Sequence, residues 1–223
     1  MHRTRFENTQ YHLKWKKKLH SNPARAAWKD IGRQAPRVKG VVITHPHPLY
    51  GGTMNNPVVE TVQSAYRQHG YATLRFNFRG VGGSRGNYDK GMGEQADVRA
   101  AIAYVESMNV SAVDLAGYSF GAWVNTGVAA DSPTAIKSMM MISPPVGLIE
   151  FENVNVLSCL KLVVTGGRDD IAPVNQIRDM LPTWNPDAQF EVIDGCDHFY
   201  SGYFEELQSI LDRYLRSTKA DPT

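Results

Sequence analysis

From Val38 onward the chain alternates short β-branched runs with segments whose apolar residues recur every three or four positions. That alternation restricts it to a mostly parallel sheet whose strands are joined by helices lying on both faces. "VKGVVIT" (38–44) is a nearly continuous apolar run, as a strand buried on both faces requires. "NNPVVETVQSAYRQHG" (55–70) reads as a helix, with Asn56 as its cap, Pro57 in its first turn and Gly70 at its end. "YATLRFNF" (71–78) is the next strand, followed by a glycine-rich loop and a helix over 94–108. The pattern continues with a strand at 112–118, a helix at 120–130 and strands at 138–143 and 160–166. It ends with a short helix at 174–181, a strand at 189–194 and a closing helix at 203–215. In a sheet of this kind ligands bind beyond the carboxyl ends of the strands, so the loops that follow the strands are the places to look for chemistry.

One such loop is "AGYSFGA" (116–122), which contains Gly117-Tyr118-Ser119-Phe120-Gly121 between a strand and a helix. In a G-x-S-x-G turn of this kind the serine adopts a strained backbone conformation and lifts its hydroxyl above the sheet. Side chains in place of the glycines would collide with neighbouring backbone. The helix that starts at Phe120 aims its free N–H groups at the same spot and favours developing negative charge there. A serine nucleophile needs a base, and the base needs a carboxylate to orient it. His198, in "GCDHFYSG", follows the last strand and is the only histidine after Ser119. Asp169 and Asp170 both follow the strand "LKLVVTG"; Asp169 is the favoured acid, with Asp170 as the alternative. Asp197 adjoins His198 too closely in sequence to reach its ring, and Asp194 ends its strand.

A second loop, "HPHPLYGG" (45–52), follows the first strand. Its two histidines suggest a metal, yet two ligands make a poor site and no carboxylate or cysteine is near them in sequence. The better reading is a second donor for an oxyanion, beside the N–H of Phe120. Pro46 and Pro48 have no N–H, so that donor is His47, Leu49 or Tyr50. "RGVGGSRG" (79–86) is not a nucleotide fingerprint. Arg85 stands where the third glycine would be, so the run is expected to be a flexible loop packed near the serine turn. Met139, Met140 and Met141 fall in a strand, where core packing is the default. Tyr50, Tyr118 and Phe199 lie in or beside the site loops and are the candidates for an apolar pocket wall.

The motifs together resemble the α/β-hydrolase superfamily over residues 38–215. More narrowly they resemble a small cap-less bacterial group related to dienelactone hydrolases, which carries an HP…GG oxyanion loop. The matching stretches are "HPHPLYGGTMNNPVV", "RFNFRGVGGS", "GEQADVRAA", "GYSFGA" and "DHFY". The resemblance implies an α/β-hydrolase fold and a catalytic triad of Ser119, Asp169 and His198. It supports Asp169 because the family's acid ends a G-x-x-D run, here Gly166 to Asp169. It favours His47 as the second oxyanion donor. Dienelactone hydrolases carry a cysteine where this chain has Ser119. Hydrolases of this fold often carry a cap after the strand that follows the nucleophile helix. Only the sixteen residues 144–159 are available here, too few for a helical cap, so the site is expected to be open. The expected activity is a serine hydrolase of small esters or thioesters, working through an acyl-enzyme on Ser119 without a cofactor or metal. An acyltransferase, amidase or peptidase would need the same triad.

Composition limits the other classes. Hydrophobic residues make up 42% of the 223, enough for one domain with a real core, and the whole chain is read as a single α/β-hydrolase domain. Charge is uneven. Residues 1–36 hold nine Lys/Arg against two acids, a net +7, while the rest of the chain is net negative. Such an arm admits a protein that binds nucleic acid or an anionic membrane on a hydrolase scaffold. The simpler reading is one or two solvated edge strands, because Tyr11, Leu13 and Trp15 alternate with lysines, and a short helix from Pro23 to Asp30. No nucleic-acid partner is expected. Two cysteines and no apolar leader fit a reduced, cytoplasmic setting, and no apolar run is long enough to span a membrane.

Overall fold

Six strands form one parallel sheet in the order β2-β1-β3-β4-β5-β6: β1 (Gly40–Thr44), β2 (Ala72–Arg75), β3 (Val113–Tyr118), β4 (Ser138–Ile142), β5 (Leu160–Gly166) and β6 (Gln189–Ile193). The structure is a computed structural model and describes residues 38–131, 136–151, 154 and 156–218. The strands and short helix expected in residues 1–36 lie outside the described residues. Among the described residues four α-helices join strands, α1 (Pro57–Gln68), α2 (Met92–Glu106), α3 (Phe120–Asp131) and α4 (Val174–Trp184), and a fifth, α5 (Phe204–Ser217), follows β6.

The two faces of the sheet are read directly from the period of two along each strand. Val42, Leu115, Met139, Met141 and Val163 point into a core shared with α2, α3 and α4. Their neighbours Val41, Ile43, Ala116, Met140, Ile142, Leu162 and Val164 point into the opposite core, built against α1 and α5. The methionine run thus fills both sides of a sheet covered on both faces, which is why these strands are apolar throughout rather than alternating. Helices α1 and α5 lie side by side on their face, tied by His69 Nε2 and Asp212 Oδ1 at 3.2 Å. Leu211 of α5 is fully buried in that core. Leu211→Ala should lower stability by about 2–5 kcal/mol, measured as a fall in the urea midpoint.

Most boundaries fall within two or three residues of the expected ones, and the exceptions have local causes. Asn56 caps α1 by accepting from the Val58 N–H at 2.9 Å. The strand expected over 71–78 leaves the ladder after Arg75, because the Phe78 N–H donates to the ring of His45 at 3.0 Å instead of to a strand. Helix α4 runs past Pro182 to Trp184. Its end is anchored where Trp184 is buried, its carbonyl accepts from the Leu157 N–H, and the Asn185 amide donates to Leu160 O.

The strand order sets the location of the site. From β1 the chain moves outward through α1 to β2, then returns through α2 to β3 on the other side of β1. The loops leaving β1 and β3 therefore diverge, and a crevice opens between them beyond the carboxyl ends of the strands.

Candidate active site

The crevice is bounded by the turn that contains Ser119. Ser119 has φ +53, a conformation a serine holds only when its surroundings impose it. Its N–H donates to Ile142 O at 2.9 Å, and its carbonyl accepts from Ala122 and Trp123 in the first turn of α3. The glycines on either side are dictated by space. A Cβ on Gly117 would stand 2.6 Å from Ala122 N and Cα, and one on Gly121 would stand 2.7 Å from His45 O.

Three side chains from three loops meet there. Ser119 Oγ lies 2.9 Å from His198 Nε2, and His198 Nδ1 lies 2.9 Å from both carboxylate oxygens of Asp169. All three are buried, with 6%, 7% and 3% of their surfaces exposed. A carboxylate only accepts, so the ring proton sits on Nδ1 and the Nε2 lone pair faces the serine hydroxyl. Asp169 Oδ1 also accepts from the N–H groups of Ile171 and Ala172 at 3.0 and 2.7 Å. Burial works to raise the Asp169 carboxyl, but His198, helped by Ser143 and the Ala172 N–H, outweighs it and holds the acid below its ordinary value. Asp170, the alternative acid, is exposed. The acid and histidine loops are joined by backbone bonds from Gly167 N–H to Ile193 O and from Arg168 N–H to Cys196 O, both 2.8 Å.

Across the crevice the 45–52 loop is fixed by its two histidines. His45 is fully buried. Its Nε2 accepts from the Phe78 N–H, so its Nδ1 carries the proton and donates to Pro46 O at 2.7 Å. His47 Nδ1 accepts from the Leu49 N–H, and its Nε2 faces the Tyr88 hydroxyl, both at 3.2 Å. The Tyr50 N–H donates to His47 O. Of the three candidate donors for an oxyanion, Leu49 and Tyr50 are thus engaged within the loop, which leaves the N–H of His47. Gly52 closes the turn where a Cβ would stand 2.1 Å from Pro46 O.

Comparison with known proteins gives this geometry a lineage. The family model described as X-Pro dipeptidyl-peptidase (S15 family) matches residues 1–166. The chain belongs to that family. The match includes Ser119 and ends before Asp169 and His198. An uncharacterized protein of Rickettsia prowazekii (strain Madrid E) is 33% identical over 191 residues, covering 81% of this chain and 80% of that protein. Among solved structures, an alpha-beta serine hydrolase homologue from Coxiella burnetii is 39% identical, with TM-score 0.74, over 80% of this chain and 85% of that one. A Xanthomonas campestris protein, described as an α/β serine hydrolase without lid, is 31% identical, with TM-score 0.76, over 86% of each chain. This family member is accordingly a serine hydrolase of the α/β-hydrolase superfamily, without a cap domain.

Other residues singled out by the sequence take different places. Tyr118 is not part of a pocket wall. It shares its strand face with Ala116, is 3% exposed, and spends its hydroxyl on His198 O at 2.7 Å, so it props the histidine loop from below. Tyr50 and Phe199 are exposed beside the crevice. The ring nitrogens of His45 and His47 are all committed to the hydrogen bonds above, and among the described residues no group of three or more His, Cys, Asp and Glu could hold a metal. Cys159 and Cys196 are free and buried; burial pushes both thiols up, Cys196 to about 11, which keeps them protonated and unreactive. No described helix is long and apolar enough to cross a membrane.

The loop after β2, expected to be flexible, is instead clamped. The Arg79 side chain grips both oxygens of Asp97 at 3.0 and 3.1 Å, and the Arg79 N–H adds a third bond. Glu94, fully buried, accepts from the N–H groups of Asp89 and Gly91. These bonds hold Tyr88 against His47.

His45 makes this loop sensitive to acid. Burial lowers its pKa from 6.5 to about 4. The folded ring therefore stays neutral between pH 6.5 and 4 while the unfolded chain takes up a proton, so its contribution to stability falls across that window, by about 3 kcal/mol in all, and levels off below it. Buried Asp114, pushed up to about 7, works in the opposite sense over the same range. The test is thus a difference: the stability advantage of wild type over His45→Gln, from urea unfolding, should shrink by about 3 kcal/mol between pH 7 and pH 4.

Proposed function

We propose that this hydrolase cleaves small carboxylic esters or thioesters through an acyl-enzyme on Ser119. The contact of Ser119 Oγ with His198 Nε2, backed by Asp169 on the far ring nitrogen, carries the reading. His198 Nε2 takes the hydroxyl proton as Ser119 Oγ attacks the carbonyl carbon. The oxygen of that carbonyl gains the charge and is met by the N–H groups of Phe120 and His47; one such donor is worth roughly 2.7–4 kcal/mol. His198 then passes its proton to the departing alcohol or thiol. A water, deprotonated by His198, attacks the acyl carbon, and Ser119 recovers its proton as the acid leaves. Asp169 keeps the imidazole in the right tautomer and stabilises its cationic form. No step calls for a cofactor.

The family match favours a second reading, a peptidase that removes dipeptides ending in proline. Such an enzyme must hold the free ammonium of its substrate, which takes an available carboxylate. Acids on the surrounding loops already have partners: Asp169 has His198, Asp97 has Arg79, with Asp89 3.9 Å from the same guanidinium, Glu94 has two backbone N–H groups, and Asp197 has the Phe199 N–H. That favours the ester. Aryl esters from acetate to decanoate, assayed beside an X-Pro anilide, test the choice. Short esters should be hydrolysed fastest. Faster turnover of the anilide would select the peptidase, and a preference for the longest acyl chains would contradict an open, cap-less site.

A further inference from the structure

Beside the crevice the rings of Tyr50, His47 and Tyr88, exposed or partly exposed, contact one another and form a wall that the steps above leave unused. Behind it stands Phe120, the residue after the nucleophile, whose buried ring backs His47 at 4.7 Å and Tyr88 at 5.9 Å between centroids. His47 meets Tyr88 at 5.0 Å and Tyr50 at 4.7 Å. Of the two residues whose N–H groups are assigned to the oxyanion, His47 carries a ring of this wall and Phe120 the buried ring behind it. The His47 ring is fixed by its two hydrogen bonds, and burial keeps it below its usual pKa, so it presents a neutral face. The wall ends in Tyr50, 80% exposed, whose ring packs on His47 and is otherwise turned to solvent.

We infer that this wall is a subsite for an aromatic ring in the acyl part of the substrate, with Tyr50 as its outermost contact. The inference rests on the reading of Ser119 as an ester-cleaving nucleophile. At the tetrahedral carbon four directions are taken. Ser119 Oγ holds one, the oxyanion points to the N–H groups of Phe120 and His47, and the leaving oxygen turns to His198 Nε2 for its proton. The acyl substituent takes the fourth, away from His198, on the side where His47 supplies both its N–H and the ring of this wall. The surroundings favour apolar contact. Of the eight large apolar side chains exposed among the described residues, five stand on connections that leave the carboxyl ends of strands, Leu49, Tyr50 and Phe199 among them. A cap-less site favours a planar ring, which needs only a face, over a flexible chain, which needs enclosure. Offset or edge-to-face ring pairs at these separations add about 3- to 10-fold in affinity per contact beyond simple burial.

The test compares methyl phenylacetate with methyl cyclohexylacetate by pH-stat. The two esters share a leaving group, carry rings of similar size, and have carbonyls insulated from the ring by a methylene. Wild type should favour phenylacetate by about 10-fold in kcat/KM. Tyr50→Phe should keep that ratio, and Tyr50→Leu should lower it to about 2 or less. Tyr50 is exposed, so none of these variants disturbs the core. Equal rates on the two esters in wild type, or a ratio that survives in Tyr50→Leu, would overturn the aryl subsite while leaving the esterase standing, provided both hydrolyses are lost in Ser119→Ala. Hydrolysis of neither ester would overturn the ester reading itself and the subsite with it.

Discussion

Ser119→Ala should lose on the order of a million-fold in kcat toward short esters, with little change in KM. The size of the loss follows from the lack of a substitute. Both cysteines are buried with raised pKa values, and the Ser143 hydroxyl is bonded to Tyr200 at 2.8 Å inside the core. What remains in the variant is the crevice with its N–H donors, which still bind the carbonyl and leave a modest excess over water alone. Binding is spared because the hydroxyl contributes bonding to the transition state rather than to the ground state. The fold should be spared as well, since alanine meets the same φ of +53 that serine already bears. Steady-state kinetics and a thermal melt on the same preparation check both halves: activity lost, melting temperature within a few degrees of wild type.

Asp169→Asn should cost about ten-thousand-fold in kcat, whereas Asp170→Asn should stay within about twofold. The asparagine fits the same space and can still accept from Ile171 and Ala172. Its amide group, however, offers His198 Nδ1 a donor as readily as an acceptor, and the tautomer with its lone pair toward Ser119 is no longer enforced. Asp169 is also an acid held below its ordinary value by His198. The sign of its linkage follows. Its carboxylate is fully charged at neutral pH, contributes stability there, and loses that contribution as pH falls through its depressed folded value. Asp170 is exposed and takes no part in the contact with His198. Equal losses in the two variants would contradict the assignment.

The parts legible from sequence were those written in local order. A glycine-flanked serine between a β-branched run and a helix, then an acid after the fifth strand, then a histidine after the sixth, mark Ser119, Asp169 and His198, and the structure brings the three within hydrogen-bonding distance. The parts that were not legible depend on pairs far apart in the chain. Tyr88 reaches His47 across 41 positions, and Tyr118 reaches His198 across 80; neither spacing is marked by a pattern. Arg79 and Asp97 are separated by 18 positions and look like ordinary surface charges until the loop between them is closed. Tyr118 stands beside Ser119 in sequence, which suggests a pocket wall. The period of two along β3 sends it beneath the site instead. The histidines of the 45–52 loop look alike on paper, yet one is a buried tie to the Phe78 backbone and the other a half-buried ring at the crevice.

The proposed reaction turns on one covalent bond, from Ser119 Oγ to the acyl carbon. Wild-type protein mixed briefly with a slowly deacylated ester, quenched in acid and digested, should show by mass spectrometry a single acyl group, carried by Ser119. The amount should match the burst of released alcohol, and the adduct should be absent from Ser119→Ala. Turnover of the ester with no acyl-enzyme, or with the acyl group on another side chain, would contradict it.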